Sequence, residues 1–336
     1  MLTKRITLGG VRSAANGISR KPRPIYVETV IRTDMASIWH YTQSPELHRQ
    51  WDLRFSEINY LPRNRDDLPQ LFHYKTRIGF GLQIEGTGES VASRPSCSGA
   101  RTSTLVFGSE QRISLIRSGS GYWRYTPDAD GVRFVTEYDY KTRFGACGRL
   151  FDRWVFRPLF GYATAWSFDL LRLWLEREIP PSSVIRNAAA HYICTFMLML
   201  AWLWMGLVPK LIAPDGGERA LMAGTGLFAG AESYALPLLG LMEIVVGVAA
   251  VWFHRNKYSW MLQLGLLTSL TAAGIAAEPS LTAAPFNPLV VGVPMLGLTL
   301  AAWLTMADVP SAGRCARNRQ LPERCMKEGN DNDVDL

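Results

Sequence analysis

Four runs of about 20 apolar residues in the second half of the chain constrain its fold most strongly. Residues 188–307 hold only nine charged side chains, four basic and five acidic. A hydrocarbon core requires about 20 mostly apolar residues at a helical rise of about 1.5 Å each. Four such lengths in series indicate membrane spans rather than buried helices of a large water-soluble core. The runs are AAHYICTFMLMLAWLWMGLV (189–208), YALPLLGLMEIVVGVAAVWF (234–253), YSWMLQLGLLTSLTAAGIAA (258–277) and PLVVGVPMLGLTLAAWLTMA (288–307).

Basic residues beside these runs predict the orientation of the bundle. They precede the first run, occupy the link between the second and third, and follow the fourth, whereas the 278–287 link has none. The positive-inside rule then places both termini and the 254–257 link in the cytoplasm, as a multi-pass inner-membrane protein. The basic residues are Arg172, Arg177 and Arg186, then Arg255 and Lys257, then Arg314, Arg317, Arg319, Arg324 and Lys327.

Residues 1–187 have a different composition, with 27 Lys and Arg against 18 Asp and Glu. Residues 1–23 form a basic tail without an apolar signal segment, and an organellar presequence is the alternative interpretation. The chain therefore divides into this flexible tail, a domain over 24–180, a membrane domain over 181–310 and a polar C-terminal tail over 311–336. The five cysteines show no paired spacing, so reduced thiols are expected.

Residues 24–180 alternate between strand and helix signals. PIYVETVIRT (24–33) reads as a strand, after which Asp34 caps a short helix and Ser44-Pro45 opens a second. A long helical stretch over 148–178 closes the domain, and we expect Pro158 to kink or break it. Between them, seven segments with period-two character predict an antiparallel meander: 55–61, 71–78, 82–92, 101–107, 111–117, 121–126 and 131–144.

The entry segment TQSPELHRQWD and the closing helix AWSFDLLRLWLE resemble the START-like superfamily (SRPBCC), which includes polyketide cyclase-like proteins. The resemblance implies an α+β helix-grip fold over 24–180, with an apolar ligand held between a curved sheet and the long helix. Alternating side chains in 132–142 suit such a cavity, although aromatic faces also fill ordinary cores. The cavity candidates are Phe72, Tyr74, Phe134, Tyr138, Tyr140, Trp166 and Leu170.

Sequence motifs for catalysis are absent from residues 24–180, so the catalytic residues are unknown and binding is favoured over enzymatic activity. We interpret Asp52 as a local cap or as the partner of a nearby arginine. The histidines are scattered, which indicates no metal site. Arg149, Arg153 and Arg157 recur every four residues among aromatic residues and predict a basic stripe that contacts anionic lipid rather than nucleic acid. A solvated helix face is the alternative.

Motifs in the second half resemble the DoxX-like membrane family over about 186–307. GLVPKL, GLMEIVVG and FNP occur in the family's order across four predicted spans. The resemblance implies an all-α four-helix transmembrane bundle. Members are named from a subunit linked to quinone redox chemistry, which makes a quinone a candidate cofactor, although the residues themselves indicate none.

Glu243 is the lone acid within the second span, with no Lys or Arg within ten residues on either side. A carboxyl at mid-membrane costs about 2.5–3.5 kcal/mol on insertion scales, so it must face the bundle interior. Thr268, Ser269 and Thr299 lie at a similar depth and are its expected partners, with no cation expected at that level. Gly240 and Gly247 flank it and predict close helix packing. A structural role and a functional role both fit.

These observations favour a membrane protein whose cytoplasmic domain binds a lipid, isoprenoid or quinone. The first alternative is a membrane oxidoreductase subunit with a quinol or proton site around Glu243 and a redox partner protein. The second is an assembly factor whose N-terminal domain binds another protein. Membrane lipids are expected partners in each case.

Overall fold

A computed structural model describes residues 23–63, 65, 68–79, 81–93, 96, 98–215, 217–285 and 287–319. Most of the predicted N-terminal tail, the end of the C-terminal tail from 320 and Phe286 of the FNP motif lie outside the described residues.

The N-terminal domain is built on a seven-stranded antiparallel sheet. The spatial order is β1-β7-β6-β5-β4-β3-β2, so consecutive strands pair except where β1 joins β7. This meander confirms the α+β helix-grip prediction. The strands are β1 (Ile25–Ile31), β2 (Glu57–Tyr60), β3 (Gln70–Gly79), β4 (Leu82–Ala92), β5 (Arg101–Gly108), β6 (Ile116–Asp128) and β7 (Gly131–Thr142).

Short helices and one long helix complete the domain. Asp34 caps α1 (Met35–Gln43), as predicted, because its carboxylate accepts the backbone N–H of Ser37 at 2.9 Å. Helix α2 (Pro45–Trp51) begins at Pro45, and α3 (Gly145–Phe151) leads through a π-helical turn at Asp152–Phe156 into α4 (Arg157–Arg177).

One local prediction differs from the structure and a second agrees with it. The segments 111–117 and 121–126 were expected to be separate strands, but one strand, β6, runs from Ile116 to Asp128 and residues 109–115 form a loop. The closing helix is interrupted by the π-helical turn Asp152–Phe156 just before Pro158, where a kink or break was expected, because the proline removes one backbone donor from this helical run.

Among the described residues of the second half, four helices are long and apolar enough to cross a membrane: Pro181–Ile212, Glu232–Trp252, Lys257–Ala277 and Leu289–Arg314. Their cores are α5 (Pro181–Leu207), α7 (Glu232–Trp252), α8 (Lys257–Ala277) and α9 (Pro288–Thr305), and the short α6 (Glu218–Gly224) precedes α7. Helix α5 packs against α7 and α9, and α8 packs against α9.

The first span is longer than a membrane requires, and its first turns belong to the N-terminal domain. Val184 and Ala188 of α5 are buried in the same apolar cluster as Phe134 of β7 and Leu171 of α4. The domain therefore rests directly on one end of the bundle and is not joined to it by a flexible linker.

Residues 309–319, which we call the C-terminal strap, leave α9 and return to the N-terminal domain. The backbone N–H of Ser311 donates to Asp169 of α4 at 2.7 Å. Glu28 of β1 and Ala316 exchange two backbone hydrogen bonds of 2.9 Å, so the strap extends the sheet at its β1 edge. This part of the predicted polar tail is thus bound to the fold.

Candidate functional site

The space between the sheet and α4, where the cavity was expected, is filled by stacked aromatic rings. Phe134 of β7 stacks on Phe168 of α4, with ring centroids 4.4 Å apart and planes 13° apart. Burying such a ring contributes about 1.5–3 kcal/mol. The predicted residues Phe134, Tyr138, Tyr140, Trp166 and Leu170 are all packed in this core.

Hydrogen bonds fix the two tyrosines of this core. The hydroxyl of Tyr138 lies 2.7 Å from Thr164 Oγ1 on α4, and the hydroxyl of Tyr140 donates to the buried carboxylate of Asp152 at 2.7 Å. Both bonds join β7 to the helical layer. These side chains therefore act in packing in this conformation.

A cavity of about 30 Å³ lies elsewhere, between α1, α2 and the β2–β5 half of the sheet. Its volume suffices for about two water molecules. Phe72 is the one predicted cavity residue that lines it, while Tyr74 lies beside it against Phe55. The lining residues are Gln43, His48, Phe55, Ile58, Tyr60, Phe72, Ser90, Ser103, Leu105 and Trp123.

Glycines of β4 shape the floor of this cavity. A Cβ at Gly88 would collide with the ring of Phe72, and one at Gly86 would collide with the ring of Tyr74. Both rings therefore lie flat on the sheet, where any larger residue on β4 would displace them. The glycine-rich sequence of this strand serves ring packing, as aromatic side chains often cover strand glycines.

A buried charge network borders the cavity at His48. Asp52 is fully buried and lies 2.6 Å from Arg54 Nη2 and 3.0 Å from His48 Nε2. Burial alone would raise the pKa of the Asp52 carboxyl, but the Arg54 guanidinium and His48 hold it well below its usual range. Asp52 is thus the partner of a nearby arginine, as predicted.

The second candidate site lies inside the bundle at Glu243, which is 1% exposed. Lys210, at the far end of the first span, places its ammonium 3.1 Å from Glu243 Oε2 and 3.4 Å from Glu218 Oε2. The expectation that no cation reaches Glu243 is therefore wrong. Oε1 of Glu243 has no hydrogen-bond partner among the described residues.

Local backbone geometry brings Lys210 to this depth. The first span continues past α5 as a π-helical turn, Val208–Ile212, which contains Lys210. The Lys210 ammonium also donates to the carbonyl of Met205 at 3.2 Å. Sequence reasoning missed the pair because its members lie in different spans, although Lys210 belongs to the GLVPKL motif.

The hydroxyl residues expected around Glu243 do not contact it. Thr268 donates to the carbonyl of Leu264 and Thr299 donates to that of Met295, each one turn back along its own helix. Thr268 and Ser269 are exposed on the outer face of α8. The predicted intramembrane site therefore reduces to Glu243 with Lys210 and Glu218.

The predicted basic stripe is incomplete. Arg149 and Arg153 are exposed, but Arg157 turns inward. Its guanidinium lies 3.0 Å from both Asp139 and Asp152 and 4.5 Å from the ring centre of Tyr140. Arg157 therefore ties α4 to β7 and does not belong to a lipid-contacting stripe.

Comparison with known proteins places this chain among membrane proteins. Residues 199–300 match the model of the DoxX-like family. The chain is 44% identical over 243 residues to the uncharacterized membrane protein YndG of Bacillus subtilis (strain 168), covering 72% of this chain and 81% of that protein. The chain belongs to the DoxX-like family. Because the alignment is longer than either half of the chain, the relationship includes parts of both domains.

Solved structures similar to the N-terminal region have low identity. A STAR-related lipid transfer protein from Xanthomonas axonopodis matches at 17% identity and TM-score 0.34, over 44% of this chain and 84% of that one. The di-domain ARO/CYC StfQ from the steffimycin biosynthetic pathway matches at 12% identity and TM-score 0.34, over 46% of this chain and 51% of that one. The helix-grip assignment rests on the strand order and on the position of α4 described above.

Proposed function

We propose that this DoxX-like protein binds a small amphiphile from the membrane, of the lipid, isoprenoid or quinone class, in its N-terminal domain. The observation that supports it is the cavity beside His48, whose walls combine aromatic rings with the polar side chains of Gln43, Ser90 and Ser103. An apolar lining with a few convergent polar groups is typical of small-molecule sites.

Ligand entry requires the cavity to enlarge. Tyr60 and Phe55 form its wall toward β2, and the hydroxyl of Tyr60 donates a hydrogen bond of 3.1 Å to the backbone carbonyl of Gln43. Breaking one such bond costs about 0.5–1.5 kcal/mol. Rotation of the Tyr60 ring is therefore an accessible way to admit a ligand between β2 and α1.

Mass spectrometry of the small molecules retained by the full-length protein after gentle detergent extraction tests this proposal. Ser90→Trp places a large ring in the cavity and should abolish stoichiometric retention. Thr87→Trp adds the same ring on the exposed face of the same strand and should leave retention unchanged. Equal retention by the two variants would refute a site in this cavity.

The pair formed by Lys210 and Glu243 supports a second candidate function, a proton or quinol site within the bundle. Ionisable residues inside a membrane are costly and commonly mark transport or redox pathways. Glu243 retains one carboxylate oxygen without a partner among the described residues. That oxygen could accept a proton or the hydroxyl of a quinol.

Two outcomes of one substitution separate a functional Glu243 from a structural one. Glu243→Gln preserves shape and hydrogen-bonding capacity but cannot titrate near neutral pH. Glu218, which lies 3.4 Å from the Lys210 ammonium, remains as the counter-ion of that lysine. If the site carries protons, the variant should fold normally and fail to complement a deletion strain. Full complementation by Glu243→Gln would leave the residue as a helix-pairing group.

For topology, we propose an inner-membrane protein with both termini and the N-terminal domain in the cytoplasm. The supporting observation is the charge bias of the flanks. Reporter fusions at residues 215 and 282 should then report the external side, and fusions at 256 and 330 the cytoplasm. A cytoplasmic signal at 282 would overturn the arrangement.

A further inference from the structure

An exposed apolar surface marks the entry to the long helix of the N-terminal domain. Six large apolar side chains protrude from the start of α3 to the first turn of α4, and Trp154 is the most exposed at 69%. Monomeric proteins rarely expose contiguous apolar patches of this kind without an interaction partner. We call these residues the apolar patch: Phe144, Leu150, Phe151, Trp154, Val155 and Leu159.

The hairpin of α4 and α5 determines where the apolar patch lies relative to the bundle. Trp166 lies about three helical turns before α4 ends at Arg177, and Tyr192 lies about three turns after α5 begins at Pro181. Their side chains lie next to each other. The contact between these two side chains therefore lies about 16 Å along each helix from the loop that joins α4 to α5. Two helices that are still neighbours at that distance from their connecting loop run antiparallel.

Tyr192 also marks the end of the bundle. Its ring lies 5.5 Å from that of His254, in the short link between α7 and α8. Beyond Tyr192, the outward face of α5 exposes Ile193 and Phe196, which belong to a membrane span. Because α4 is antiparallel to α5, its N-terminal end points toward the membrane, and the apolar patch continues in that direction from Trp166.

The charges within the apolar patch suit an anionic surface. Arg149 and Arg153 are exposed, and the Arg153 guanidinium lies 5.7 Å from the ring centre of Trp154. The acid in the sequence of this segment, Asp152, is buried and paired with Arg157. Tryptophan and arginine together are characteristic of segments that lie in the membrane interface.

We infer that the apolar patch inserts into the bilayer that the four spans cross, with Arg149 and Arg153 at the level of anionic lipid headgroups. The N-terminal domain would then be held against the membrane at two places, through α5 and through the entry to α4. This inference does not depend on the proposed ligand cavity, which lies at the β2–β5 half of the sheet.

Site-specific photo-crosslinking in the full-length protein tests the inference. A benzoylphenylalanine residue replaces Trp154, and the purified protein is reconstituted in vesicles of phosphatidylcholine and phosphatidylglycerol. Illumination should yield lipid adducts, detected by mass spectrometry of the intact protein. The matched control places the same residue at Val91, an exposed apolar position at the opposite end of the sheet, and should yield none.

The crosslinked species decide between the occupants of the apolar patch. Lipid adducts specific to position 154 support insertion, whereas covalent dimers would show that a second copy of the chain covers the patch and would overturn it. Adduct yields at 154 no higher than at 91 would also overturn it. Replacing Arg149 and Arg153 with alanine should reduce the share of phosphatidylglycerol among the adducts, by about fivefold for each arginine.

Discussion

Gly206 of α5 and Gly240 of α7 face each other at a point where the backbones of the two spans are in contact. A Cβ at Gly206 would collide with the carbonyl oxygen of Gly240, and a Cβ at Gly240 would lie 2.6 Å from that of Gly206. This contact lies about one helical turn from both Lys210 and Glu243. The absence of two side chains therefore allows the buried ion pair to form.

Substitution of either glycine should separate the spans. Gly206→Ala places a methyl group against backbone and should destabilise the protein by about 1–3 kcal/mol, as overpacking does. Gly265→Ala in α8 is the matched control, because its Cβ would meet no atom within 4 Å. Thermal unfolding in detergent measures the stability of both variants. Equal melting temperatures for the two variants would contradict the close contact.

Asp52 should be the acidic residue whose loss most weakens the N-terminal domain. Asp52→Asn leaves the Arg54 guanidinium buried without its counter-ion, which costs about 3–5 kcal/mol. The exposed Asp130 provides a control, since Asp130→Asn should change the free energy of unfolding by less than about 0.5 kcal/mol. Because the pKa of Asp52 is lowered on folding, its contribution is present above about pH 4 and disappears in acid.

His254 should make the junction of domain and bundle sensitive to mild acid. Burial, His191 and Arg255 lower the pKa of His254 from 6.5 to about 4. Between these values the unfolded chain binds a proton that the folded chain does not, so stability falls as pH decreases from 6.5 toward about 4. Above pH 6.5 the effect is absent.

Melting temperatures at pH 7.5 and pH 5 measure this dependence. His254→Asn keeps a hydrogen-bonding group near His191 Nε2, which lies 2.9 Å from His254 Nδ1, and should flatten the pH dependence. His73→Gln, at an exposed position of β3, should retain it. An unchanged slope in His254→Asn would assign the dependence to other groups.

The C-terminal strap should protect the β1 edge of the sheet. Ala316→Pro removes the N–H that donates to the Glu28 carbonyl. Loss of a bond worth about 1 kcal/mol should raise amide exchange in β1 about fivefold, as measured by hydrogen–deuterium exchange. Asn318→Pro, slightly further along the strap, controls for the effect of proline itself. Equal protection of β1 in both variants would show that the strap does not hold this edge.

The sequence by itself determined that a strand meander and a closing helix precede four helices long enough to span a membrane. Each of these features depends on local periodicity or on run length, which neighbouring residues decide. The N-cap at Asp34 and the close packing at Gly240 were predicted for the same reason, because a cap or a missing side chain acts through nearby backbone.

Only the tertiary structure decided which groups meet. Lys210 of the first span reaches Glu243 of the second because a π-helical turn and two facing glycines bring the spans together. Phe134 and Phe168 close the expected cavity because a ring from the sheet and a ring from α4 occupy the same space. Arg157 leaves the surface because Asp139 and Asp152 lie beneath it. Such pairings depend on packing between segments that are distant in the sequence, and no local sequence pattern predicts that packing.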